Sequence, residues 1–478
     1  MSVYRQSVTD TIAAISTAVS ESGIGIVRIS GPDAILTADR IYRSPKGKTH
    51  LKDVPTHTIH YGFAADPDSH SLIDEVLVSV MRAPRSYTAE DVVEISCHGG
   101  VLVVRQVLGA CLKAGARPAE PGEFTKRAYL NGRIDLSEAE AVMDVIESKN
   151  QYALRNSLRQ MKGALGDAVR AVRSGILYQT AHIEAALDDP EHLSFEPCIP
   201  ELKERCTAWR QQIRRLLSTA DSGRLMQEGI RTVIVGKPNA GKSSLLNLLL
   251  GEDRAIVTPI AGTTRDVLTE TVTLEGMTLR ITDTAGIRRT DDPVEKIGVK
   301  RAEDSVSEAD LLLCVFDASC PLDEDDLRIL RMAEGRQAII LLNKSDLPAG
   351  TDTGDILAVL SKDRQKSGSH TEIPPVISFS AKEETGLDKL KQTLREMFFH
   401  GSLSFNDEIV ITSARHRALL EQADRSLASL QESLDAGMPE DFYSIDLMGA
   451  CEALGSITGE DAGEDLVDEI FSKFCMGK

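Results

Sequence analysis

The chain has 478 residues, of which 42% are hydrophobic, and its formal net charge is −19. This length suffices for about three domains with ordinary cores, and no apolar run of about 18 residues predicts a membrane span. The negative charge opposes long-range attraction to nucleic acid, so we expect any RNA contact to be a local patch or to be supplied by a partner. The eight cysteines form no Cys-x-x-Cys pair, which predicts a reducing, cytoplasmic setting rather than a disulfide framework.

Residues 1–125 have the pattern of a small mixed α/β domain. Strand-like runs at 25–30, 75–80 and 91–96 are each followed by turn residues. Helical apolar spacing then begins at Val101 and stops before Gly115. These residues alone predict a fold class but no function.

Residues 126–222 change to long helical patterns. Ser137 and Glu140 have the spacing of a capping box, which predicts the start of a helix. The run Asp188-Asp189-Pro190 ends a later helix, because proline cannot continue it.

A phosphate-binding loop is predicted between residues 236 and 244. The β-branched run 232–235 is followed by Gly-Lys-Pro-Asn-Ala-Gly-Lys-Ser, which ends at Ser243, and then by a helical run. Glycines let backbone N–H groups face phosphates, and the helix N-terminus adds its positive end. We expect Lys242 to reach the β- and γ-phosphates and Ser243 to ligate Mg²⁺. The predicted loop residues are Asn239, Ala240, Gly241, Lys242, Ser243 and Ser244.

Three further motifs follow strand-like runs and together predict GTP as the ligand. In the first, Asp283-Thr284-Ala285-Gly286, the carboxylate can hold the Mg²⁺ water shell and the glycine amide can sense a γ-phosphate. The second contains Asn343, Lys344 and Asp346, whose carboxylate can accept from the guanine N1–H and 2-amino groups; adenine lacks this donor pair. The third is Ser380-Ala381-Lys382, whose backbone N–H can meet guanine O6.

Residues 258–266 lie between the first two motifs and have the composition of a switch loop. A threonine there can close over Mg²⁺ and the γ-phosphate, and we assign this role to Thr264. Ile287 follows Gly286, where Ras-like enzymes carry a water-orienting glutamine. Hydrolysis therefore requires another group that positions water and another source of positive charge.

Residues 403–478 return to helix, with helical stretches at 414–434, 443–457 and 463–475. Because helical stretches flank residues 223–402, the simplest architecture is one helical domain interrupted by an inserted GTPase domain.

The nucleotide motifs resemble those of the Era, Der and MnmE group of GTPases, through Gly-Lys-Pro-Asn-Ala-Gly-Lys-Ser and Ala-Gly-Thr-Thr-Arg-Asp. Outside them, Gly-Ile-Val-Arg-Ile-Ser-Gly at 25–31, Asn-Gly-Arg-Ile-Asp-Leu at 131–136 and the final Phe-Cys-Met-Gly-Lys are similar to the MnmE (TrmE) family of tRNA modification GTPases. The resemblance implies a multidomain α/β plus all-α protein. Its parts would be an N-terminal α/β folate-binding-like domain (1–125), a discontinuous helical domain (126–222 and 403–478) and an inserted Ras-like P-loop GTPase domain (223–402).

For hydrolysis, the resemblance implies a bound K⁺ in place of an arginine finger. Asn239 would ligate this ion, with oxygen atoms of Thr258, Ile260 and Thr263 completing the site when two GTPase domains dimerise. Water would be oriented, through one or more waters, by Glu295, so that the catalytic set is Glu295, Lys242 and Thr264. The alternative for Glu295 is a surface acid of a switch helix.

The resemblance also implies a tetrahydrofolate derivative, 5-formyl- or 5,10-methylene-tetrahydrofolate, bound by Arg28, Glu94, Arg133 and Lys478. Glu94 could pair with the pterin 2-amino and ring N–H groups, and arginines with carboxylates or carbonyls. Cys475 is a candidate thiol. An ordinary Arg28–Glu94 ion pair and an inert thiol are the alternatives. Two departures bear on this site: residues 17–22 lack the family's Pro-Pro-Gly-type turn, and Arg133 stands where the family often has lysine.

The implied function is addition of an aminomethyl or carboxymethylaminomethyl group at C5 of the wobble uridine of certain tRNAs. The folate would supply the one-carbon unit, and the homodimer would act with MnmG (GidA), a partner that uses FAD and NADH, in a heterotetramer or larger complex. One alternative is an Era- or Der-like GTPase of ribosome assembly, which the excess of acidic residues after residue 420 argues against. The other is a non-enzymatic GTP switch, which would hydrolyse GTP slowly without an activating protein.

Overall fold

The structure is a computed structural model. It describes residues 10–189, 192, 195–252, 269–283, 306–367, 373–399, 409–475 and 477. The chain divides into two compact units. Unit 1 comprises residues 1–146, 157–213 and 418–478, and unit 2 comprises residues 147–156 and 214–417. The four sequence segments proposed above, with boundaries at 125, 222 and 402, stay predictions.

Unit 1 contains a seven-stranded sheet with the strand order β3-β4-β5-β6-β2-β1-β7. Its neighbours are antiparallel, except for the parallel pair β1–β7. The strands are β1 (Ile12–Ile15), β2 (Ser22–Ser30), β3 (Tyr42–Arg43), β4 (Thr58–Ala65), β5 (Leu72–Met81), β6 (Val92–Gly99) and β7 (Arg117–Pro118).

The two faces of this sheet differ because side chains alternate along each strand. One face packs with the helices α1 (Ala34–Ile41) and α2 (Val101–Lys113), and buries Val76, Val78 and Val80 of β5. Residues between these positions point to the opposite side, which we call the outer face of the sheet. Arg28 and Glu94 lie on the outer face, directly paired across β2 and β6.

The helices of unit 1 come from both sides of the predicted insertion. They are α3 (Glu123–Leu130), α4 (Leu136–Glu147), α5 (Gln151–Gln160), α6 (Ala164–Asp188), α7 (Ile199–Leu217), α13 (Ala414–Asp435), α14 (Glu440–Thr458) and α15 (Glu464–Ser472). Four of them, α4, α5, α7 and α13, include residues that belong to unit 2. Helix α6 packs along α14, and Arg173 of α6 donates to Asp461, beyond the end of α14, at 2.9 Å. Helical segments that are far apart in sequence therefore share one body, as the interrupted-domain interpretation predicted.

The start of α4 corrects one prediction. Asp135 Oδ1 accepts from the backbone N–H of Glu138 at 2.9 Å, and Glu138 Oε2 accepts from the backbone N–H of Asp135 at 2.7 Å. The capping box is therefore Asp135–Glu138, and the predicted Ser137–Glu140 box is wrong by two residues. Aspartate is as good an N-cap as serine, and it stands three residues before a glutamate as well.

Unit 2 contains a six-stranded sheet with the strand order β13-β12-β11-β8-β10-β9, parallel except for the hairpin pair β9–β10. The strands are β8 (Ile230–Gly236), β9 (Thr269–Leu274), β10 (Met277–Asp283), β11 (Leu311–Asp317), β12 (Ala338–Asn343) and β13 (Val376–Ser378). Its helices are α8 (Ala220–Glu228), α9 (Lys242–Glu252), α10 (Glu324–Ala333), α11 (Thr353–Ser367) and α12 (Leu387–Phe399).

Hydrophobic clusters cover both faces of this sheet. Ile234 belongs to one cluster, whereas its strand neighbours Val233 and Val235 belong to the other. Continuous apolar strands are typical of parallel sheets that are buried on both sides. The carboxyl ends of β8, β12 and β13 lie at the same edge, where open α/β sheets bind ligands.

Within the described ranges, no helix is long and apolar enough to cross a membrane.

Candidate functional site

The loop between β8 and α9 has the backbone that its glycines predict. Asn239 and Gly241 adopt left-handed conformations, with φ of 66° and 102°. A Cβ atom on Gly241 would lie 2.0 Å from the Asn343 side-chain nitrogen, so this position requires glycine. The Lys242 ammonium donates to the carbonyls of Gly236 and Lys237, at 2.9 Å each. A positive charge is thereby held beside the N-terminus of α9, which suits a phosphate chain.

Asn343, at the end of β12, ties this loop to the predicted base-binding loop. Its side chain is buried. The amide nitrogen donates to the Ala240 carbonyl at 2.8 Å, and the amide oxygen accepts from the backbone N–H of Ala381 at 3.0 Å. Asn343 thus holds two of the predicted motifs together rather than only facing a ligand.

Asp346 is positioned by the third motif. The Ser380 hydroxyl donates to Asp346 Oδ1 at 2.6 Å, and this hydrogen bond holds the pKa of Asp346 below its ordinary value. Nearby, the Lys344 ammonium pairs with Asp317 at 2.5 Å. Asp346 therefore remains ionised at neutral pH, as an acceptor of guanine N–H groups must.

These loops enclose a cavity of about 760 Å³, a volume within the usual range of small-molecule sites. It is lined by Asn239, Gly241, Lys242, Ser243, Ser244, Asn343, Lys344, Asp346, Leu347, Ser380, Ala381 and Lys382. Leu347 was not predicted from the sequence, although its place directly after Asp346 could have indicated it. Ala240 is buried beneath the loop, and Asp283 ends β10, paired with Ile234 of β8.

Several predicted residues of this site lie outside the described residues. They are Thr258, Ile260, Thr263, Thr264, Thr284, Ala285, Gly286 and Glu295. Among the described side chains, no group of three or more His, Cys, Asp or Glu residues could hold a metal ion. The Mg²⁺ and K⁺ sites assigned from the sequence stay predictions.

A second site lies on the outer face of the unit 1 sheet. Arg28 Nε donates to Glu94 Oε1 at 2.9 Å. The Arg28 guanidinium lies 5.3 Å from the centroid of the Tyr87 ring and 5.5 Å from that of Phe124. Arg133 lies 5.1 Å from the Tyr87 centroid and donates to the Tyr87 carbonyl at 2.9 Å. Arg28 and Arg133 therefore both lie against Tyr87, which was not predicted from the sequence, and Glu94 is joined to this cluster through Arg28.

The end of the chain reaches this second site. The Gly477 carbonyl accepts from Arg28 Nη1 at 3.2 Å and from the Ser16 hydroxyl at 3.1 Å. The Cys475 carbonyl accepts from the backbone N–H of Gly122 at 3.4 Å, and the Cys475 side chain is exposed. Lys478 lies outside the described residues. The Arg28 guanidinium therefore donates both to Glu94 and to the carbonyl of Gly477 in the C-terminal tail.

Comparisons with known proteins cover both units. The family described as "MnmE helical domain" matches residues 136–475, and "GTP-binding protein TrmE N-terminus" matches residues 11–133. A "tRNA modification GTPase MnmE" of Lachnoclostridium phytofermentans is 53% identical over 470 residues, covering 98% of this chain and 100% of the relative. The chain belongs to the MnmE family.

Other MnmE relatives agree with this assignment. The protein of the same name from Bacillus subtilis is 47% identical, again over 98% of this chain and 100% of the relative. Among solved structures, Aquifex aeolicus Era bound to GDP·AlF₄⁻ is 27% identical, covering 41% of this MnmE-family chain and 66% of Era, with a TM-score of 0.28. A similarity this low says nothing further about function.

Proposed function

We propose that this MnmE-family chain is an enzyme that binds and hydrolyses GTP in the cavity of unit 2, and that hydrolysis serves tRNA modification. The observation that carries the proposal is that Asn343 joins the phosphate loop to the loop that orients Asp346. Relatives named tRNA modification GTPases, similar over nearly the whole chain, support the biological role.

The cavity residues divide the work of binding GTP. Asp346 accepts from the guanine N1–H and 2-amino groups, while the Ala381 backbone faces O6. Lys242 and the α9 N-terminus would bind the β- and γ-phosphates, and the Ser243 hydroxyl would hold Mg²⁺. When bound, Mg²⁺ neutralises charge on these phosphates.

The further catalytic assignments come from the family resemblance and, for Thr264, from the composition of the switch loop. Asn239 lines the cavity, and its amide oxygen is a suitable hard ligand for K⁺. Thr258, Ile260 and Thr263 would supply the remaining K⁺ oxygens, Thr264 would contribute to holding Mg²⁺, and Glu295 would orient water. Turnover should therefore be faster in K⁺ than in Na⁺, because only an ion of fitting size offsets the transition-state charge. Equal turnover in the two salts would remove the K⁺ assignment and leave GTP binding intact.

The Arg28–Glu94 pair is proposed to bind the tetrahydrofolate derivative. Both side chains are partly exposed, and Tyr87 offers an aromatic surface between two guanidinium groups, which suits a flat ring with polar edges. Glu94→Gln should weaken binding of 5-formyl-tetrahydrofolate about tenfold or more, since the amide loses a charge-assisted acceptor. Unchanged affinity by calorimetry would favour the ordinary ion pair.

We further propose that the protein is cytoplasmic, forms homodimers and works with tRNA and the FAD- and NADH-using MnmG partner in a heterotetramer or larger complex. The substrate position is C5 of the wobble uridine, which receives an aminomethyl or carboxymethylaminomethyl group built with a folate one-carbon unit. Exposed apolar side chains on the outer face support the homodimer: Ile59, Tyr61 and Leu77 are 67%, 49% and 48% exposed.

The deciding experiment is mass spectrometry of tRNA nucleosides from cells depleted of this protein. We expect the C5 substituent of wobble uridine to be lost, and to be restored by the wild-type chain but not by Asp283→Ala. Unchanged nucleosides together with accumulated ribosomal precursors would refute the tRNA role and favour ribosome assembly.

A further inference from the structure

The hairpin β9–β10 joins the two predicted phosphate-sensing segments. In the sequence, β9 begins directly after residues 253–268, and β10 ends directly before residue 284. Glu275 and Gly276 form the turn, with φ of 47° and 84°, which is typical of a tight type I′ hairpin. Each strand of the hairpin is therefore connected directly, in sequence, to one of these two segments.

The tip of the hairpin contacts the start of α5, within unit 2. A Cβ atom on Gly276 would lie 2.1 Å from the Tyr152 ring, so the ring packs directly on the backbone of the turn. On the other side, Arg395 of α12 pairs with Glu275. The turn therefore contacts side chains of both α5 and α12, although Glu275 itself is exposed.

Asn150 connects the hairpin to α5 through a single side-chain amide. Its nitrogen donates to Thr278 Oγ1 of β10 at 2.9 Å and to the Met226 carbonyl of α8 at 3.0 Å. Its oxygen accepts from the backbone N–H of Ala153 at 2.8 Å and so caps α5. Asn150 and Thr278 are both buried, which strengthens these bonds by excluding water.

We infer that Asn150 is a positioning residue that couples the nucleotide state of the β9–β10 hairpin to the N-terminus of α5. A displacement of β10 that moves Thr278 must rotate the Asn150 amide, and the same rotation moves the oxygen that caps α5. Beyond Asn156 the chain passes directly into residues of unit 1, so the cap lies where the chain leaves unit 2. The inference rests on the proposed GTP hydrolysis.

Hydrogen exchange of the full-length protein tests this coupling. In the wild type, we expect the amides of residues 152–154 to exchange about fivefold faster in one nucleotide state than in the other, comparing GDP with a non-hydrolysable GTP analogue. Thr278→Val removes the acceptor with little change of shape and should bring this ratio close to one. The matched variant Thr278→Ser keeps a hydroxyl and should preserve the ratio.

A second variant separates coupling from simple support. Asn150→Asp keeps the oxygen that caps α5 but can donate neither to Thr278 Oγ1 nor to the Met226 carbonyl, and it should also lose the nucleotide dependence. If both variants only raised exchange equally in the two states, Asn150 would be structural and the inference overturned. If the wild-type protein hydrolysed GTP but its amides at 152–154 exchanged at the same rate in both nucleotide states, only the coupling would be overturned. If the wild type did not bind GTP, the proposed function would be refuted as well.

Discussion

We expect Asp346 to decide which base the cavity accepts, and its geometry leads to a test. Its carboxylate is oriented by Ser380 and kept ionised by the same bond. Asp346→Asn replaces one acceptor with a donor, so guanine loses a charge-assisted pair worth roughly 1.5–3 kcal/mol. We expect GTP affinity to fall about 10- to 100-fold. Xanthosine triphosphate, whose base has a carbonyl in place of the 2-amino group, should bind to Asp346→Asn more tightly than it binds to the wild type.

Equilibrium titration with fluorescent GTP and xanthosine analogues measures both effects. Asp352→Asn is the matched control, because Asp352 caps α11 through the backbone N–H of Asp355 and an asparagine can cap equally well. If the Asp346 and Asp352 variants lost GTP affinity equally, the base-reading role of Asp346 would be wrong.

Single residues were predictable where spacing alone identifies them. The loop from Asn239 to Ser244 and the residues Asn343 and Asp346 belong to motifs with fixed local spacing, and they meet in the cavity. Tyr87 was not predictable in this way, because its importance comes from Arg28 and Arg133, which reach it only in the folded sheet. Tertiary contacts of this kind leave no local signal in one sequence.

Asp310 illustrates how ion pairs connect the elements of unit 2. It precedes β11 and accepts from the backbone N–H and guanidinium of Arg231 in β8, and from Arg224 of α8. Burial alone would raise the pKa of Asp310, but the hydrogen bonds from Arg231 and Arg224 outweigh it and lower the pKa to about 2. The charged form is therefore favoured by folding.

The lowered pKa gives this pairing a defined pH dependence. Its stabilisation is fully present above the ordinary pKa of 3.8 and is lost as pH falls towards about 2. At pH 7, Asp310→Asn should reduce the free energy of unfolding by about 1–2 kcal/mol. Near pH 2.5 most of this difference should vanish.

Denaturant titrations followed by circular dichroism at pH 7, 5 and 2.5 would measure this difference. The control is Asp325→Asn, since Asp325 pairs with Arg328 at the exposed surface, where such pairs contribute little. A stability loss for Asp310→Asn that is independent of pH would show that packing, and not charge, explains the effect.

Secondary-structure elements were predicted unevenly. Strands β5 and β6 were found from their alternating β-branched residues, and α2 from its apolar spacing. Strand β4 was missed, because its inward positions are Gly62 and Ala64 while Ile59 and Tyr61 point outwards. In this strand the small residues are buried and the large apolar residues are exposed, which is the reverse of the usual pattern. The strand's own sequence does not reveal this, because burial depends on the neighbouring strands and helices.

The outer face of the unit 1 sheet leads to a prediction about assembly. Tyr61 and Leu77 are paired across β4 and β5. Ile59 lies two residues before Tyr61 in β4 and therefore on the same face, so the three exposed apolar side chains adjoin one another. Apolar surface of this kind on a sheet favours association. Arg28 and Glu94 share the same face, so a second copy seated there would stand close to the proposed folate site.

Replacing Ile59 with glutamate would place an unpaired carboxylate in such an interface, which is costly because burial disfavours the charged form. We expect light scattering to find twice the chain mass for the wild type and the single mass for Ile59→Glu at micromolar concentration. Leu36→Glu is the control, since Leu36 is exposed on α1, which covers the other face of the sheet, and this variant should remain dimeric. A dimer that survives Ile59→Glu would exclude the outer face as the interface and would separate assembly from the folate site.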